Sequence, residues 1–154
     1  ESMKLWHDYF VNAKNIVGID IFVRSSFKEV SGWLKDYDVK LHKFNSHEDT
    51  DKFNKFADTY KEGFDIIIDD GSHWYENQIN TYKKFKNLMN PGGVYIIEDI
   101  SFEREESVYT SYKLTESGMQ NVVEAKIQRD IPEMQFYMTG GELFQNQPVG
   151  VIYF

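Results

Sequence analysis

Three short apolar runs, each closed by acidic residues, constrain this chain more than any other feature. They are Ile16-Val17-Gly18-Ile19 closing on Asp20, Phe64 to Ile68 closing on Asp69 and Asp70, and Val94-Tyr95-Ile96-Ile97 closing on Glu98 and Asp99. Near-continuous β-branched runs of this length, without polar alternation, read as strands buried on both faces. A weaker strand is expected at Val39 to Phe44, where apolar and polar residues alternate. Helical patterns fill the intervals. Met3, Leu5, Trp6, Tyr9 and Phe10 share one helical face. Phe27, Val30, Trp33, Leu34 and Tyr37 share a second, and Phe53, Phe56, Ala57 and Tyr60 a third. Ile79, Tyr82, Phe85, Leu88 and Met89 form the fourth, which ends before the stop signal Asn90-Pro91-Gly92-Gly93.

Alternating helix and strand implies right-handed crossovers and a parallel sheet with helices on both faces, so the fold class is α/β. Beyond a polar stretch from Ser101 to about Ser117, a helix is expected near Met119 to Gln128. Two β-like segments follow, Met134 to Thr139 and Val149 to Phe154, separated by a Gly140-Gly141 turn. They read as an antiparallel hairpin closing the sheet edge. With 154 residues and no interdomain linker or repeat, residues 1–154 are expected to form a single domain.

Composition removes several function classes. Seventeen Lys and Arg against 25 Asp and Glu give a net charge of -8, unsuited to gripping a phosphate backbone. There is no cysteine, which excludes disulfide scaffolds, thiolate zinc sites and cysteine nucleophiles. No apolar run reaches the ~18 residues that span a bilayer, and the N-terminus lacks a signal-peptide pattern. A soluble cytoplasmic domain that contacts neither nucleic acid nor membrane is expected, and a homo-oligomer is compatible with the sequence.

In open α/β sheets, ligands sit outside the carboxyl ends of the strands. Asp20, Asp69, Asp70, Glu98 and Asp99 all fall at such ends. One Asp after a strand is ordinarily a turn or cap residue, and Asp70-Gly71 is a common turn pair. Two strands that each end in a doubled acid are harder to explain that way, and converging carboxylates call for a bound cation or a positively charged ligand. His73, three positions after Asp70, lies at a strand-to-helix turn, where an imidazole beside carboxylates can act as a general base. Asp20 has the position and residue type that hold ribose hydroxyls in nucleotide-binding folds. Trp74 and Tyr75 follow closely enough to line an acceptor pocket, although core packing is the commoner fate of aromatic residues. The stretch from Ser101 to Ser117 has the placement of a lid over the site, or of a surface loop.

The stretch from Phe64 to Ile100, FDIIIDDGSHWYENQINTYKKFKNLMNPGGVYIIEDI, resembles the centre of class I S-adenosylmethionine-dependent methyltransferases. Within that class it is most similar to metal-dependent sugar O-methyltransferases of macrolide biosynthesis and their relatives. The shared pattern is D-D-G-S-H after a strand, then a helix, then P-G-G-x-Y-x-I-E-D, and the likeness extends over about residues 2–100. It implies a Rossmann-like methyltransferase sheet, mostly parallel with a C-terminal antiparallel hairpin. It further implies that Asp70, Glu98 and Asp99 bind a divalent cation, with magnesium the first choice. His73 would take the proton from the acceptor hydroxyl, Asp20 would hold the donor's ribose and Asp69 would lie beside its methionine portion. The loop Asn45-Ser46-His47-Glu48-Asp49 would pass near the adenine, although relatives often carry Asp-Gln where this chain has Ser46-His47. The cofactors implied are S-adenosylmethionine and Mg2+ or another divalent cation, and the partner is a small-molecule acceptor, a sugar or glycoside.

The family's first strand and glycine-rich loop should precede the first helix. The chain begins at Glu1-Ser2, so an N-terminally incomplete domain is the first expectation, with another element or partner chain filling the gap, or a rearranged sheet, as the alternatives. Without the glycine loop this segment alone is expected to bind the donor poorly. Two other classes compete with the enzyme reading. One is a degenerate methyltransferase-like domain serving as a non-catalytic binding or assembly module. The other is a phosphoacceptor receiver domain, which requires a lysine at the strand end that Glu98-Asp99 occupy here.

Overall fold

A computed structural model describes residues 2–100, 130–139 and 147–154. The chain divides into two compact units, Glu1–Phe56 and Ala57–Phe154. In the first, α1 (Ser2–Tyr9) leads to β1 (Ile16–Asp20), α2 (Phe27–Trp33) and β2 (Val39–Lys43), and α3 (Thr50–Thr59) begins there. β1 and β2 pair in parallel, Ile16 against Val39 through Asp20 against Lys43. α2 starts where its sequence says it should. The Glu29 N–H donates to Ser26 Oγ at 3.2 Å, and the Ser26 N–H donates back to Glu29 Oε2 at 2.8 Å, a reciprocal cap that satisfies two of the helix's orphan donors.

The second unit contains β3 (Phe64–Asp69), α4 (Tyr75–Phe85), a 3-10 turn at Lys86–Leu88, β4 (Met89–Ile97), β5 (Gln135–Thr139) and β6 (Gln147–Tyr153). Its sheet runs β3-β4-β6-β5. β3 and β4 are parallel, as a strand-helix-strand crossover requires. β6 is antiparallel to both β4 and β5, so the C-terminal hairpin adds to the sheet through its second strand. The apolar face of α4 packs as its spacing demands, with Ile79, Tyr82 and Phe85 buried. They share the core with Tyr95, Ile97, Ile100, Ile131, Met134 and Ile152. The helix expected near 119–128 and the Gly140-Gly141 turn lie outside the described residues, as does the stretch from Ser101 to Ser117.

Three expectations need correcting. β1 has no fully buried residue, and on β3 Ile66 is 42% exposed. Among the described residues β1 pairs only with β2 and β3 only with β4, so each is an edge strand and the apolar run alone does not bury it. In α2, Trp33 and Phe27 are exposed, while Leu34, which caps its C-terminus, is buried, because a seven-residue helix turns only one narrow side inward. Finally, the strand after α4 starts at Met89 rather than after the glycines. Met89 pairs with Phe64 and Val94 with Ile66, and the register shifts between them. The bulge is made by Gly92, whose φ is +81°, a conformation that glycine adopts at little cost. Backbone bonds from Gly92 N–H to Phe154 O and from Phe154 N–H to Gly93 O hold it.

Candidate active site

Parallel pairing of adjacent strands sends Asp70 and Asp99 out of the sheet at the same end. The ladder continues one step past Ile97, where the Glu98 N–H donates to Asp69 O at 3.0 Å. Beyond it, β3 turns sharply into α4. The Gly71 N–H donates to Asp69 Oδ1 at 3.2 Å, and Ser72 Oγ accepts from the Trp74 N–H at 3.4 Å and from Asn77 Nδ2 at 2.8 Å. Short side chains bonding to nearby backbone are what make such turns. This one carries His73 over the strand ends.

There the imidazole meets two carboxylates. His73 Nε2 lies 3.6 Å from Asp70 Oδ1 and 3.7 Å from Asp99 Oδ2. One ligand atom from each of Asp70, His73 and Asp99 lies within 4.8 Å of the others. Asp99 reaches this position with a φ of +46°, in the left-handed region. Glu98 stands outside the tight group, but burial raises its pKa, and the charges of Asp70 and Asp99 raise it further while His73 acts against them. The rim therefore concentrates negative charge around one imidazole.

Asp69 faces inward. Burial pushes its carboxyl up to about 6, partly opposed by the Gly71 N–H and by the Tyr95 hydroxyl, which donates to Asp69 Oδ2 at 3.3 Å. Tyr95 is 0% exposed, its hydroxyl pushed well up by burial and by Asp69, and its ring meets Tyr82 edge-on at 5.3 Å. Tyr82 in turn donates to Glu133 Oε1 at 2.5 Å. Tyr75 does not line an open pocket: it is buried and its hydroxyl donates to Asp130 Oδ2. Trp74 beside it is exposed.

The remaining sequence-derived residues belong to the first unit. Asp20 ends β1, and Ser46 and His47 follow the end of β2, so parallel pairing places all three at the same end of that strand pair. Asp20 Oδ1 accepts from the Phe22 N–H at 2.5 Å, which supports a left-handed Phe22 with φ +54°. The loop carrying Ser46 and His47 is tied by the Asn45 N–H to Asp49 Oδ2 at 3.0 Å and by Asn45 Nδ2 to Glu48 Oε2 at 2.9 Å. His47 Nε2 lies 3.7 Å from Glu48 Oε1.

Sequence reasoning missed Gln78 and Tyr95, both buried beside the acids. Gln78 carried a readable signal: it falls on the same helical stripe as Tyr75, Ile79 and Tyr82, and a polar residue on such a stripe needs a buried partner. Nothing local marked Tyr95, because its partner Asp69 comes from another strand.

A search of solved structures fixes the fold. The mycinamycin-pathway enzyme MycE, solved in complex with Mg and SAH, matches 97% of this chain and 40% of its own with a TM-score of 0.56 at 20% identity. The fold is that of a Rossmann-like class I methyltransferase. In sequence, this methyltransferase-like chain is similar to two curated O-methyltransferases. An 8-demethyl-8-(2-methoxy-alpha-L-rhamnosyl)-tetracenomycin-C 3'-O-methyltransferase from Streptomyces olivaceus is 29% identical over 99 residues. Mycinamicin VI 2''-O-methyltransferase from Micromonospora griseorubida is 29% identical over 99 residues. Each match takes in 64% of this chain but only 23% and 22% of the respective relative, so the chain spans a minor part of their length. No protein-family model matches the chain. Among the described residues, no helix is long and apolar enough to cross a membrane.

Proposed function

We propose that the chain forms part of an S-adenosylmethionine-dependent O-methyltransferase, which uses a divalent cation and a histidine base to methylate a hydroxyl of a sugar or glycosylated small molecule. The observation carrying this reading is the convergence of Asp70, His73 and Asp99 at the carboxyl end of two parallel strands in a methyltransferase fold. The two units are read as parts of one such domain working in the cytoplasm.

The donor set suits a cation. Donors at ~2.0–2.6 Å from Mg2+ or Ca2+ lie no more than about 4–5 Å apart, and a carboxylate oxygen of Asp70 and one of Asp99 lie within 4.8 Å of each other. Carboxylate oxygens favour Mg2+, Ca2+ or Mn2+ over softer metals; burial and then the charges of Asp70 and Asp99 raise the Glu98 pKa, and a cation relieves the second of these. Asp70 and Asp99, with Glu98 alongside, would hold Mg2+, which supplies Lewis-acid polarisation of an acceptor hydroxyl.

The residues then divide the work. His73 accepts the hydroxyl proton at Nε2. The acceptor oxygen's electron pair forms the bond to the donor methyl carbon as the carbon–sulfur bond breaks, and that bond's electrons neutralise the sulfonium. Asp20 holds the donor's ribose hydroxyls, Ser46 and His47 border its adenine, and Asp69 lies beside its methionine portion. Holding donor and acceptor in line contributes as an entropic saving rather than through a covalent intermediate. The rhamnosyl-tetracenomycin and mycinamicin VI substrates named for the relatives make a glycoside the first acceptor to try.

Methyl transfer from labelled S-adenosylmethionine to a panel of glycosides and nucleotide sugars, with Mg2+ and again with EDTA, tests the reading. Transfer that stops with EDTA and returns with added Mg2+ supports it. Transfer indifferent to EDTA refutes the metal role, and neither transfer nor donor binding points to a non-catalytic module.

A further inference from the structure

The left-handed Asp99 requires an explanation. A non-glycine residue in this region ordinarily costs of order 1 kcal/mol, less for aspartate with its short polar side chain, and surrounding contacts select it. Among the described residues, one side chain holds both carbonyls that flank Asp99. Gln78, on the buried face of α4 and 4% exposed, donates from Nε2 to Glu98 O at 3.1 Å and to Asp99 O at 3.2 Å. Those carbonyls belong to the peptide groups on either side of the Asp99 Cα. The first fixes the plane from which φ of Asp99 is measured and the second fixes ψ, so a single amide group sets both dihedrals. Its two N–H bonds match its two acceptors. The isosteric carboxylate of glutamate would instead face two carbonyl oxygens.

The flanks of the turn are held as well. Ile97 and Ile100 are 1% and 2% exposed, anchoring the chain before and after, and the Glu98 N–H is engaged by Asp69 O. With the backbone fixed, the Asp99 carboxylate is directed at His73 and Asp70. We propose that Gln78 is a positioning residue: it holds the Glu98-Asp99 turn in the left-handed geometry that brings the Asp99 carboxylate into the group with Asp70 and His73. This rests on reading that group as a metal site, since positioning matters only if the group binds something.

Partners that orient metal ligands without touching the metal change affinity by roughly 10–100-fold when removed. Mn2+ titration monitored by electron paramagnetic resonance reads that affinity directly, on the wild-type chain, Gln78→Met, Gln78→Asn, Ile79→Val and Asp99→Asn. Gln78→Met keeps the volume and loses both donors, so Mn2+ affinity falls by about 10–100-fold. Gln78→Asn keeps an amide one methylene short and serves where Met unfolds the chain, again with weakened binding. Ile79→Val perturbs the adjoining core position and leaves the affinity unchanged. Hydrogen exchange gives a readout independent of metal: in Gln78→Met the amides at residues 98–100 exchange faster while those of α4 keep their protection. A folded Gln78→Met chain that binds Mn2+ as the wild type does overturns the positioning role, even if exchange is faster. Wild-type affinity in Asp99→Asn, or no binding by the wild type, overturns the metal reading and takes the positioning role with it.

Discussion

His73 Nε2 lies 3.7 Å from Asp99 Oδ2, joining the turn after β3 to the turn after β4. The contact exists because the two strands are parallel neighbours and both turns leave at their carboxyl ends. If His73 is the base, His73→Ala slows methyl transfer by roughly 10²–10⁴-fold. The half-exposed position predicts little change in thermal stability. Single-turnover transfer and a melting curve on the same preparation check both halves; a variant within threefold of wild-type rate contradicts the assignment.

Glu98 is hard to ionise where it stands, because of burial and then the charges of Asp70 and Asp99. Glu98→Gln removes one of three crowded acids. The metal-free variant should therefore melt above the wild type, whereas its gain in melting temperature on adding Mg2+ should be smaller. Melting curves with EDTA and with Mg2+ separate these effects, and a lower melting temperature in EDTA would show that Glu98 does not suffer from its neighbours.

Asp69 gives a pH dependence of known sign. Its carboxyl titrates at about 6 in the folded chain against 3.8 when free. Between these values the folded state binds more protons than the unfolded one, so stability falls as pH rises from about 4 to about 6. Other acids add their own slopes, so the comparison is with Asp69→Asn, which should be flatter across that window. Denaturant unfolding at a series of pH values measures the difference, and parallel curves for the two proteins would contradict it.

Burial in the β3-β4 pair is uneven, and so are the expected costs of truncation. Ile97→Ala, from a side chain 1% exposed, should cost about 2–5 kcal/mol. Ile66→Ala, from one 42% exposed, should cost about 1 kcal/mol. Urea midpoints of the two variants decide it.

Much of this was legible in the residues. The runs ending at Asp20, Asp69 and Ile97 could be little else than strands, and α4 declared its buried face through Ile79, Tyr82 and Phe85. The acids at the strand ends were visible because chain order alone places them at carboxyl ends. What could not be read depends on which strands become neighbours. Ile66 is as apolar as Ile97, and only strand order makes one exposed and the other buried. The Tyr95–Asp69 bond and the hold of Gln78 on Glu98 and Asp99 join residues about twenty or more positions apart, with no local pattern to announce them. The left-handed φ of Asp99 was equally hidden, since aspartate gives no warning of it as glycine would.

In the proposed function, Asp70 and Asp99 form one side of a divalent cation site. Calorimetric titration of Mg2+ into the chain at neutral pH, beside Asp70→Asn and Asp99→Asn, reads the occupancy of that site. The wild type should show saturable binding at one site, weakened by more than about tenfold in each variant, since even residues outside the coordination sphere change affinity by that much. Equal affinity in all three proteins, or no saturable binding by the wild type, would contradict it.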